Sequence, residues 1–328
     1  MKYRCFDHST ETISEIGVGT WQFGGDWGSV SETQALETLQ AAVQRGVNFF
    51  DTADVYGNGR SESIIGKFLK NSKEKIFVAT KIGRFPIPGG AENYTWDHFR
   101  QHTENSLKRL GVSRLDLTQL HCIPFDYIRS GEVFDWLHRL QKEGKINYFG
   151  VSVETTSEAE YCLDHVDGLA SLQVIFNVFR QKPIQKFFKK AQDKKVALIV
   201  RLPLSSGILS GKMTHTTRFE PQDHRQYNRD GQAFNVGETF SGIPFEKGIE
   251  LTEFLKQHIP QGWTLAQMAL RWCLDFEAVT TVIPGAKNAT QAVENVRASE
   301  LMPLSGQLHQ ILERFYQERV EMHIRGAY

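Results

Sequence analysis

A repeated unit, in which a helical pattern is followed by a short apolar strand, constrains the fold of this chain more than any other feature of its sequence. In the first unit, Ser31 and Gln34 have the spacing of a capping box at a helix start. Leu39 and Val43 share one face of that helix, and Gly46 ends it just before a strand. The unit recurs until eight strands are predicted. They are Glu15–Thr20, Val47–Asp51, Lys75–Lys81, Leu115–His121, Lys145–Val151, Leu172–Phe176, Val196–Leu202 and Ala278–Ile283.

Apolar strands that alternate with helices predict a parallel sheet covered by helices, and eight such units can close into a (β/α)8 TIM barrel of the α/β class. A doubly wound open sheet fits the alternation almost as well. The barrel is favoured because no GxGxxG motif opens the first βα turn, where GVGTWQFG at 17–24 has a different glycine spacing. SSGILSGKM at 205–213 is not a P-loop either, since Ser206 and Met213 replace the required Gly and Ser/Thr.

The whole chain, residues 1–328, is predicted to form one domain with two additions to the barrel. The segment from Met1 to Ser14 has the pattern of a hairpin, which we expect at the bottom of the barrel. The long irregular stretch from Gly211 to Gly248 is expected on the C-terminal face. A loop of that length in a compact domain usually covers a site or is mobile.

Composition excludes several classes of function. Lys plus Arg and Asp plus Glu are equal at 38 each, so no basic surplus is present for nucleic acid or for an anionic membrane surface. The four cysteines lack CxxC or similar spacing, which argues against a disulfide framework and against a metal site. The start MKYRCFDHST lacks the apolar segment of a signal peptide, and no apolar run is long enough to span a bilayer. We therefore expect a soluble cytoplasmic protein.

Polar residues end three neighbouring predicted strands. Asp51, Lys81 and His121 each stand at the C-terminal end of a strand, which is the edge where barrel enzymes keep their sites. Tyr56 follows in the loop after Asp51. A tyrosine has a pKa of roughly 10, and a lysine ammonium at about 4 Å favours the phenolate by about 4 kcal/mol at an effective dielectric near 20. The hypothesis is that Lys81, held by Asp51, makes Tyr56 acidic. His121 would orient a carbonyl while Tyr56 protonates its oxygen.

A series of short motifs carries a resemblance over essentially the whole chain. The motifs are GVGTWQFG at 17–24, DTADVYG at 51–57, SES at 61–63, ATKIG at 79–83, LDLTQLH at 115–121, FGVS at 149–152, QVIFNVF at 173–179, PLSSGILSGK at 203–212 and IPGAKNATQAVEN at 283–295. With them the chain resembles the aldo-keto reductase superfamily, whose enzymes reduce aldehydes and ketones with NADPH on a (β/α)8 barrel. The resemblance implies the catalytic tetrad Asp51, Tyr56, Lys81 and His121, with Tyr56 as general acid.

The resemblance also implies a cofactor, NADPH/NADP+, with NADH as the alternative. The cofactor-binding positions that it implies are Gly19, Thr20, Trp21, Asp51, Ser152, Gln173, Arg201, Pro203, Leu204, Gly207, Leu209, Lys212, Gly285, Lys287, Gln291, Glu294 and Asn295. Ser152 and Gln173 would lie near the nicotinamide carboxamide, and Lys287 would lie near the adenosine 2′-phosphate at a helix start. Arg225, in the long loop, is a further candidate for a phosphate contact.

Three positions depart from the family pattern. Val153 replaces a frequent Asn, Arg201 replaces the aromatic residue that stacks on the nicotinamide, and Gln291 replaces a frequent Arg. Arg201 predicts a preference for the neutral reduced cofactor, because a guanidinium repels a cationic nicotinamide. Gln291 weakens the preference for NADP over NAD. It also has capping-box spacing from Asn288, so capping the last barrel helix is its alternative role.

The predicted substrate is a small-molecule carbonyl compound. The residues predicted to line its pocket are Trp21, Trp27, Tyr56, Phe85, His121 and Phe125. The sequence leaves the physiological substrate open, and a monomer and a homo-oligomer are equally compatible with it. Two rival functions remain at this stage. One is a nucleotide-binding regulatory protein without turnover, such as a channel subunit, and the other is an enzyme that uses Lys81 as a Schiff-base nucleophile.

Overall fold

The computed structural model describes residues 1–6 and 11–328. Its strands are β1 Tyr3–Cys5, β2 Thr12–Ser14, β3 Val18–Gly19, β4 Phe49–Asp51, β5 Phe77–Ile82, β6 Leu115–His121, β7 Ile146–Ser152, β8 Ser171–Ile175, β9 Ala197–Arg201 and β10 Val279–Val282. Its α-helices are α1 Glu32–Val43, α2 Arg60–Asn71, α3 Trp96–Leu110, α4 Phe125–Ser130, α5 Glu132–Lys142, α6 Thr156–His165, α7 Lys189–Asp193, α8 His224–Tyr227, α9 Phe245–Lys256, α10 Leu265–Leu274, α11 Ala289–Arg297 and α12 Gly306–Phe315. The eight predicted barrel strands correspond to β3 through β10, with small shifts at their ends.

Strands β3 to β10 form a parallel sheet in which each strand is hydrogen-bonded to the next along the chain. Gly19 of β3 and residues just before β3 then pair with β10 and the residues that follow it. Ile16 bridges Val282, Gly19 bridges Gly285, and the Gly17 amide donates to the Val282 carbonyl at 2.9 Å. These contacts bring the first and last strands together, and the predicted (β/α)8 barrel is confirmed.

The N-terminal hairpin is also confirmed, and it covers one end of the barrel. β1 and β2 are antiparallel, with Arg4 opposite Ile13; the turn at residues 7–10 lies outside the described residues. Phe6 packs against Phe77, the first residue of β5, with ring centroids 4.8 Å apart. Because Phe77 begins its strand, the hairpin covers the N-terminal ends of the strands and leaves the C-terminal ends free for a site.

Two apolar layers bury both faces of the strands. The inner layer contains Phe49, Phe77, Ala79 and Leu117, and the outer layer packs the opposite strand faces against the helices. This explains why the strands are apolar along their length instead of alternating with polar residues. In the part of the chain that the structure describes, no helix combines the length and the apolarity that a bilayer crossing requires.

Candidate active site

The two-residue period of the strands places three of the predicted catalytic side chains inside one end of the barrel. Asp51 follows the inward-facing Phe49 by two residues, and Lys81 follows the inward-facing Ala79 in the same way. His121 is the last residue of β6. The same alternation that fills the lower barrel with apolar side chains therefore ends in a polar layer at the carboxyl edge of the sheet.

The Lys81 ammonium joins the groups of this polar layer. Its Nζ atom donates to Asp51 Oδ1 at 2.6 Å, to the Thr52 carbonyl at 2.7 Å and to the Tyr56 hydroxyl at 3.4 Å. Gln173 Nε2 donates to the other Asp51 oxygen at 2.7 Å. The Lys81 side chain is only 1% exposed. The structure thus brings Asp51, Lys81 and Tyr56 into one hydrogen-bonded chain, with the ammonium in the middle.

Burial and pairing act in opposite directions on this ion pair. Burial raises the pKa of Asp51 and lowers the pKa of Lys81, because removal from water penalises each charge. The short contact between them favours both charged forms. The pair is therefore held as a buried unit, in which loss of either partner leaves the other charge uncompensated.

The pKa of Tyr56 corrects one expectation drawn from the sequence. It is raised well above its usual value, first because burial penalises the phenolate and then because the carboxylates of Asp51 and Glu238 repel it. The expectation that Lys81 makes this phenol acidic in the resting site is wrong. Tyr56 instead keeps its proton firmly, which is the state that a proton donor needs before reaction.

His121 completes the polar layer as a neutral imidazole. Burial lowers its pKa well below the usual value, and the nearby cations Arg84, Lys81 and Arg201 add to that shift. Its ring lies edge-on to the Tyr56 ring, with centroids 5.8 Å apart. Its Nδ1 atom is buried and has no hydrogen-bond partner in the described part of the chain. A neutral ring with an unused nitrogen is suited to bind a polar ligand atom next to the Tyr56 hydroxyl.

A cavity of about 530 Å³ lies over the polar layer and extends to α11. Most of the residues that the sequence assigned to a cofactor line this cavity. They are Gly19, Thr20, Trp21, Asp51, Gln173, Arg201, Pro203, Leu204, Gly207, Lys212, Gly285, Lys287, Gln291, Glu294 and Asn295. They come from elements far apart in the chain, so one continuous site is built by the barrel closure.

Two assigned cofactor residues do not line the cavity. Ser152 is buried, and its hydroxyl contacts Cys122 Sγ at 3.4 Å. Leu209 is fully buried in the outer apolar layer. Leu209 belongs to PLSSGILSGK, a motif with other members that reach the cavity, so motif membership alone does not show which side chain of a segment points inward.

Some of the residues predicted for the substrate pocket line the cavity, and two do not. The residues of that prediction that line the cavity are Trp21, Trp27, Tyr56 and His121. Phe85 instead packs against His102 of α3, with centroids 5.3 Å apart. Phe125 begins α4 and packs against Tyr161 of α6 at 5.2 Å. After β5 and β6 the chain turns outward over the helices, so neither phenyl ring lines the cavity as the sequence suggested.

An ionic cluster that is largely buried borders the cavity, and sequence reasoning missed it. We define it as Arg84, Arg201, Glu154 and Glu238. Both terminal nitrogens of Arg84 donate to the Glu238 carboxylate, at 2.7 and 3.2 Å, and Arg201 Nη1 lies 3.6 Å from the same group. Arg84 also pairs with Glu154 at 3.3 Å. Arg84 stands just after the C-terminal end of β5, and this position could have indicated that it belongs to the site. Nothing local in the sequence indicates that Glu238 reaches it.

The long irregular stretch forms part of the cavity wall. We call residues 211–244, which precede α9, the strap segment. His224 of this segment lies between Trp21 and Trp27, with centroids 4.5 and 4.4 Å away, and its amide donates to the Asp26 carbonyl at 2.9 Å. Four residues of the strap segment line the cavity: Lys212, Met213, Arg225 and Glu238. The strap segment therefore covers the site. This was one of the two expectations for a loop of that length, the other being that it is mobile.

The start of α11 offers a half-buried cation and a capped helix end. Asn288 Oδ1 accepts from the Gln291 amide at 3.0 Å, and the Gln291 side chain accepts from the Lys287 amide at 2.8 Å. Asn288 thus caps the helix, and Gln291, whose side chain holds the Lys287 amide, also lines the cavity. Burial lowers the pKa of Lys287, and repulsion by Arg225 adds to this. Lys287 has no ion pair among the described residues.

Comparisons with known proteins agree with this architecture. A model described as "Aldo/keto reductase family" matches residues 15–317. The chain is 29% identical over 299 residues to "Aldo-keto reductase YhdN" of Bacillus subtilis (strain 168), covering 89% of this chain and 86% of the relative. It is similar to these proteins along nearly its whole length.

Two solved structures resemble the fold over nearly all of both chains. The structure of the glycerol dehydrogenase AKR11B4 from Gluconobacter oxydans matches with a TM-score of 0.80 and 28% identity, covering 99% of this chain and 98% of the other. The holo form of aldo-keto reductase AKR11C1 from Bacillus halodurans matches with a TM-score of 0.76 and 25% identity, covering 100% and 98%. These structures share the barrel architecture described above.

Proposed function

This chain belongs to the aldo/keto reductase family and is an oxidoreductase, and from that premise we propose that it reduces aldehydes or ketones to alcohols with NADPH. The observation that carries the proposal is the position of Lys81 Nζ, 2.6 Å from Asp51 Oδ1 and 3.4 Å from the Tyr56 hydroxyl, at the edge of the cavity. This arrangement provides a proton donor with a fixed cation behind it.

The residues present fit a nicotinamide dinucleotide. Gln173 places an amide at the polar layer, where it also holds Asp51. At the far end, Lys287 is half-buried without an ion pair among the described residues, and Arg225 lies close enough to lower its pKa. The Lys287 cation at the start of α11, with Arg225 of the strap segment nearby and paired to Asp223, favours a phosphate, so we infer a preference for NADPH over NADH.

When bound, the reduced nicotinamide supplies a hydride to the carbonyl carbon. His121 orients the carbonyl oxygen through a ring nitrogen, and its lowered pKa keeps the imidazole neutral for this role. Tyr56 gives its phenolic proton to the same oxygen as negative charge develops there. Lys81 then stabilises the phenolate that remains, and Asp51 fixes the ammonium in place. The high pKa of Tyr56 in the resting site ensures that the proton is present when it is needed.

The direct test measures oxidation of NADPH and of NADH in the presence of a panel of aldehydes and ketones. We expect carbonyl-dependent oxidation that is faster with NADPH and that disappears in Tyr56→Phe. Tight cofactor binding with no turnover on any carbonyl would contradict the proposal and would support the regulatory alternative. Borohydride trapping of a substrate adduct on Lys81 would contradict it in favour of Schiff-base chemistry.

A further inference from the structure

Two arginines that line the cavity keep unused hydrogen-bond donors. Arg84 Nε and Arg201 Nε are both buried, and neither has a partner among residues 1–6 and 11–328. Both side chains border the cavity together with Tyr56 and His121. A buried N–H of a guanidinium without an acceptor is costly, so these donors indicate a missing acceptor at this place.

The carboxylate nearest to these arginines is already fully engaged. The Glu238 oxygens accept from Arg84 at 2.7 and 3.2 Å, and Arg201 Nη1 lies 3.6 Å away. Glu154, the other acid of the ionic cluster, accepts from Arg84 at 3.3 Å and from Asn235 at 2.9 Å, and it does not line the cavity. Beside the reactive groups, the cavity wall therefore has two guanidinium groups and the carboxylates of Asp51 and Glu238. Asp51 is paired with Lys81, so the surplus lies in hydrogen-bond donors, the two Nε–H groups without an acceptor among the described residues.

The arginines are also held in fixed positions before any ligand binds. Arg201 Nη2 donates to the Val153 carbonyl at 3.2 Å and contacts Cys122 Sγ at 3.4 Å. Arg84 is fixed by its two bonds to Glu238. Because their rotamers are set by these contacts, little side-chain entropy is lost when an anion binds, and the planar guanidinium suits a carboxylate.

We propose that Arg84 and Arg201 form an acid-recognising subsite, and that the preferred substrates are small oxo acids whose carboxylate lies within a few atoms of the reacting carbonyl. This inference rests on the proposed function and specifies its substrate class. The carbonyl oxygen lies at Tyr56 and His121, and the carboxylate accepts from the free guanidinium donors. Glu238 limits the affinity, because its negative charge opposes that of the substrate.

The test compares each oxo acid with its own methyl ester, which keeps the carbonyl and removes the charge. Suitable pairs are phenylglyoxylate with methyl phenylglyoxylate, and 4-oxobutanoate with methyl 4-oxobutanoate. The measured quantity is the ratio of kcat/KM for the acid to kcat/KM for the ester, with NADPH. Intrinsic differences in reactivity cancel when this ratio is compared between wild type and a variant.

We expect Arg84→Gln and Arg201→Gln each to lower the ratio by about tenfold or more, since a hydrogen bond to a charged group contributes about 1.5–3 kcal/mol. Arg201→Lys should retain part of the preference, because it retains the charge. Glu238→Gln should raise the ratio, since it removes a repelling charge from the same wall. This opposite sign keeps the test decisive if neither arginine variant folds. Arg100→Gln, at a side chain 55% exposed on α3, is the control and should leave the ratio unchanged.

The outcomes separate this inference from the proposed function. Reduction of the esters with ratios that no variant changes would overturn the acid-recognising subsite alone. A change in the Kd of NADPH in Arg201→Gln, with an unchanged ratio, would also overturn it and would assign the free donor to the cofactor. Absence of NADPH and NADH oxidation with every acid and ester would overturn both.

Discussion

At the scale of single residues, the Tyr56 hydroxyl separates proton donation from cofactor binding. Tyr56→Phe removes one O–H group and keeps the ring that stacks on Trp21, with centroids 5.9 Å apart. We predict that kcat for carbonyl reduction falls by about 10²–10⁴-fold, the usual contribution of a general acid. The Kd for NADPH, measured by fluorescence titration, should change little, because the proton is used only in the transition state.

The matched control for this prediction is Tyr3→Phe. Tyr3 is 50% exposed and donates to the Gly46 carbonyl at 2.9 Å, outside the cavity. This variant should keep both kcat and the Kd for NADPH. A loss of NADPH affinity in Tyr56→Phe as large as the loss of kcat would show that Tyr56 binds cofactor instead of donating a proton.

Lys81 is predicted to contribute to stability as well as to chemistry. Lys81→Met leaves the Asp51 carboxylate buried without its ion-pair partner, and breaking a buried ion pair from one side costs about 3–5 kcal/mol. We expect a loss of that order in the free energy of unfolding, measured by urea denaturation. Adding Asp51→Asn should recover part of it, since the unpaired charge is then removed.

Lys67→Met provides the comparison for Lys81→Met. Lys67 also contacts a carboxylate, Glu32, at 2.8 Å, but its side chain is 58% exposed. Exposed pairs contribute little, so this variant should be close to wild type in stability. If Lys81→Met were no more destabilising than Lys67→Met, the Asp51 carboxylate would have to be protonated in the folded protein.

At the scale of elements, the start of α11 is predicted to set the cofactor preference. Lys287→Met removes the half-buried cation that has no ion pair among the described residues. We predict that the KM for NADPH rises by about tenfold, within the range of a partly buried charge at a helix start. The KM for NADH should change much less, and it serves as the internal control. Equal increases for both cofactors would place the 2′-phosphate elsewhere.

The strap segment is predicted to weaken on acidification through His224. Burial between Trp21 and Trp27 lowers the pKa of His224 from 6.5 to about 4. The unfolded chain therefore binds the proton more readily, so the stability due to the neutral ring is fully present above pH 6.5. It is lost as the pH falls through 6.5 towards 4. The Tm of the wild type should fall over this window, and the fall should be smaller in His224→Gln. Parallel Tm profiles would contradict this role.

At the scale of the whole molecule, the barrel could be predicted because its information is local and repeated. Each strand is a short apolar run buried on both faces, and the long helices between them have apolar faces, several with a capping residue at the start, so the order of elements follows from the sequence. The polar layer could be predicted as well, because Asp51, Lys81 and His121 stand at the C-terminal ends of such strands. Closure was favoured over an open sheet because no GxGxxG motif opens the first βα turn.

The contacts that could not be predicted are made by residues in the loops that follow the strands. Glu238 reaches Arg84 across 154 positions of sequence through the strap segment, whose course has no periodic pattern. Phe85 and Phe125 follow their strands closely, yet they turn towards α3 and α6. The raised pKa of Tyr56 likewise depends on burial and on carboxylates from separate segments, which spacing along the chain does not indicate.

The packing of the first barrel strand against its neighbour β4 is testable at Gly17, next to Phe49. A Cβ atom added at Gly17 would lie 2.8 Å from the Phe49 ring and 2.9 Å from the Phe49 carbonyl. Because a backbone carbonyl cannot move aside cheaply, we predict that Gly17→Ala lowers the free energy of unfolding by about 1–3 kcal/mol, the usual cost of overpacking. Gly306→Ala, at the start of α12, has no heavy atom within 4 Å of the added Cβ and should be neutral or slightly stabilising. Urea denaturation of both variants measures the difference, and equal stabilities would mean that Phe49 and its strand adjust to the added methyl group without cost.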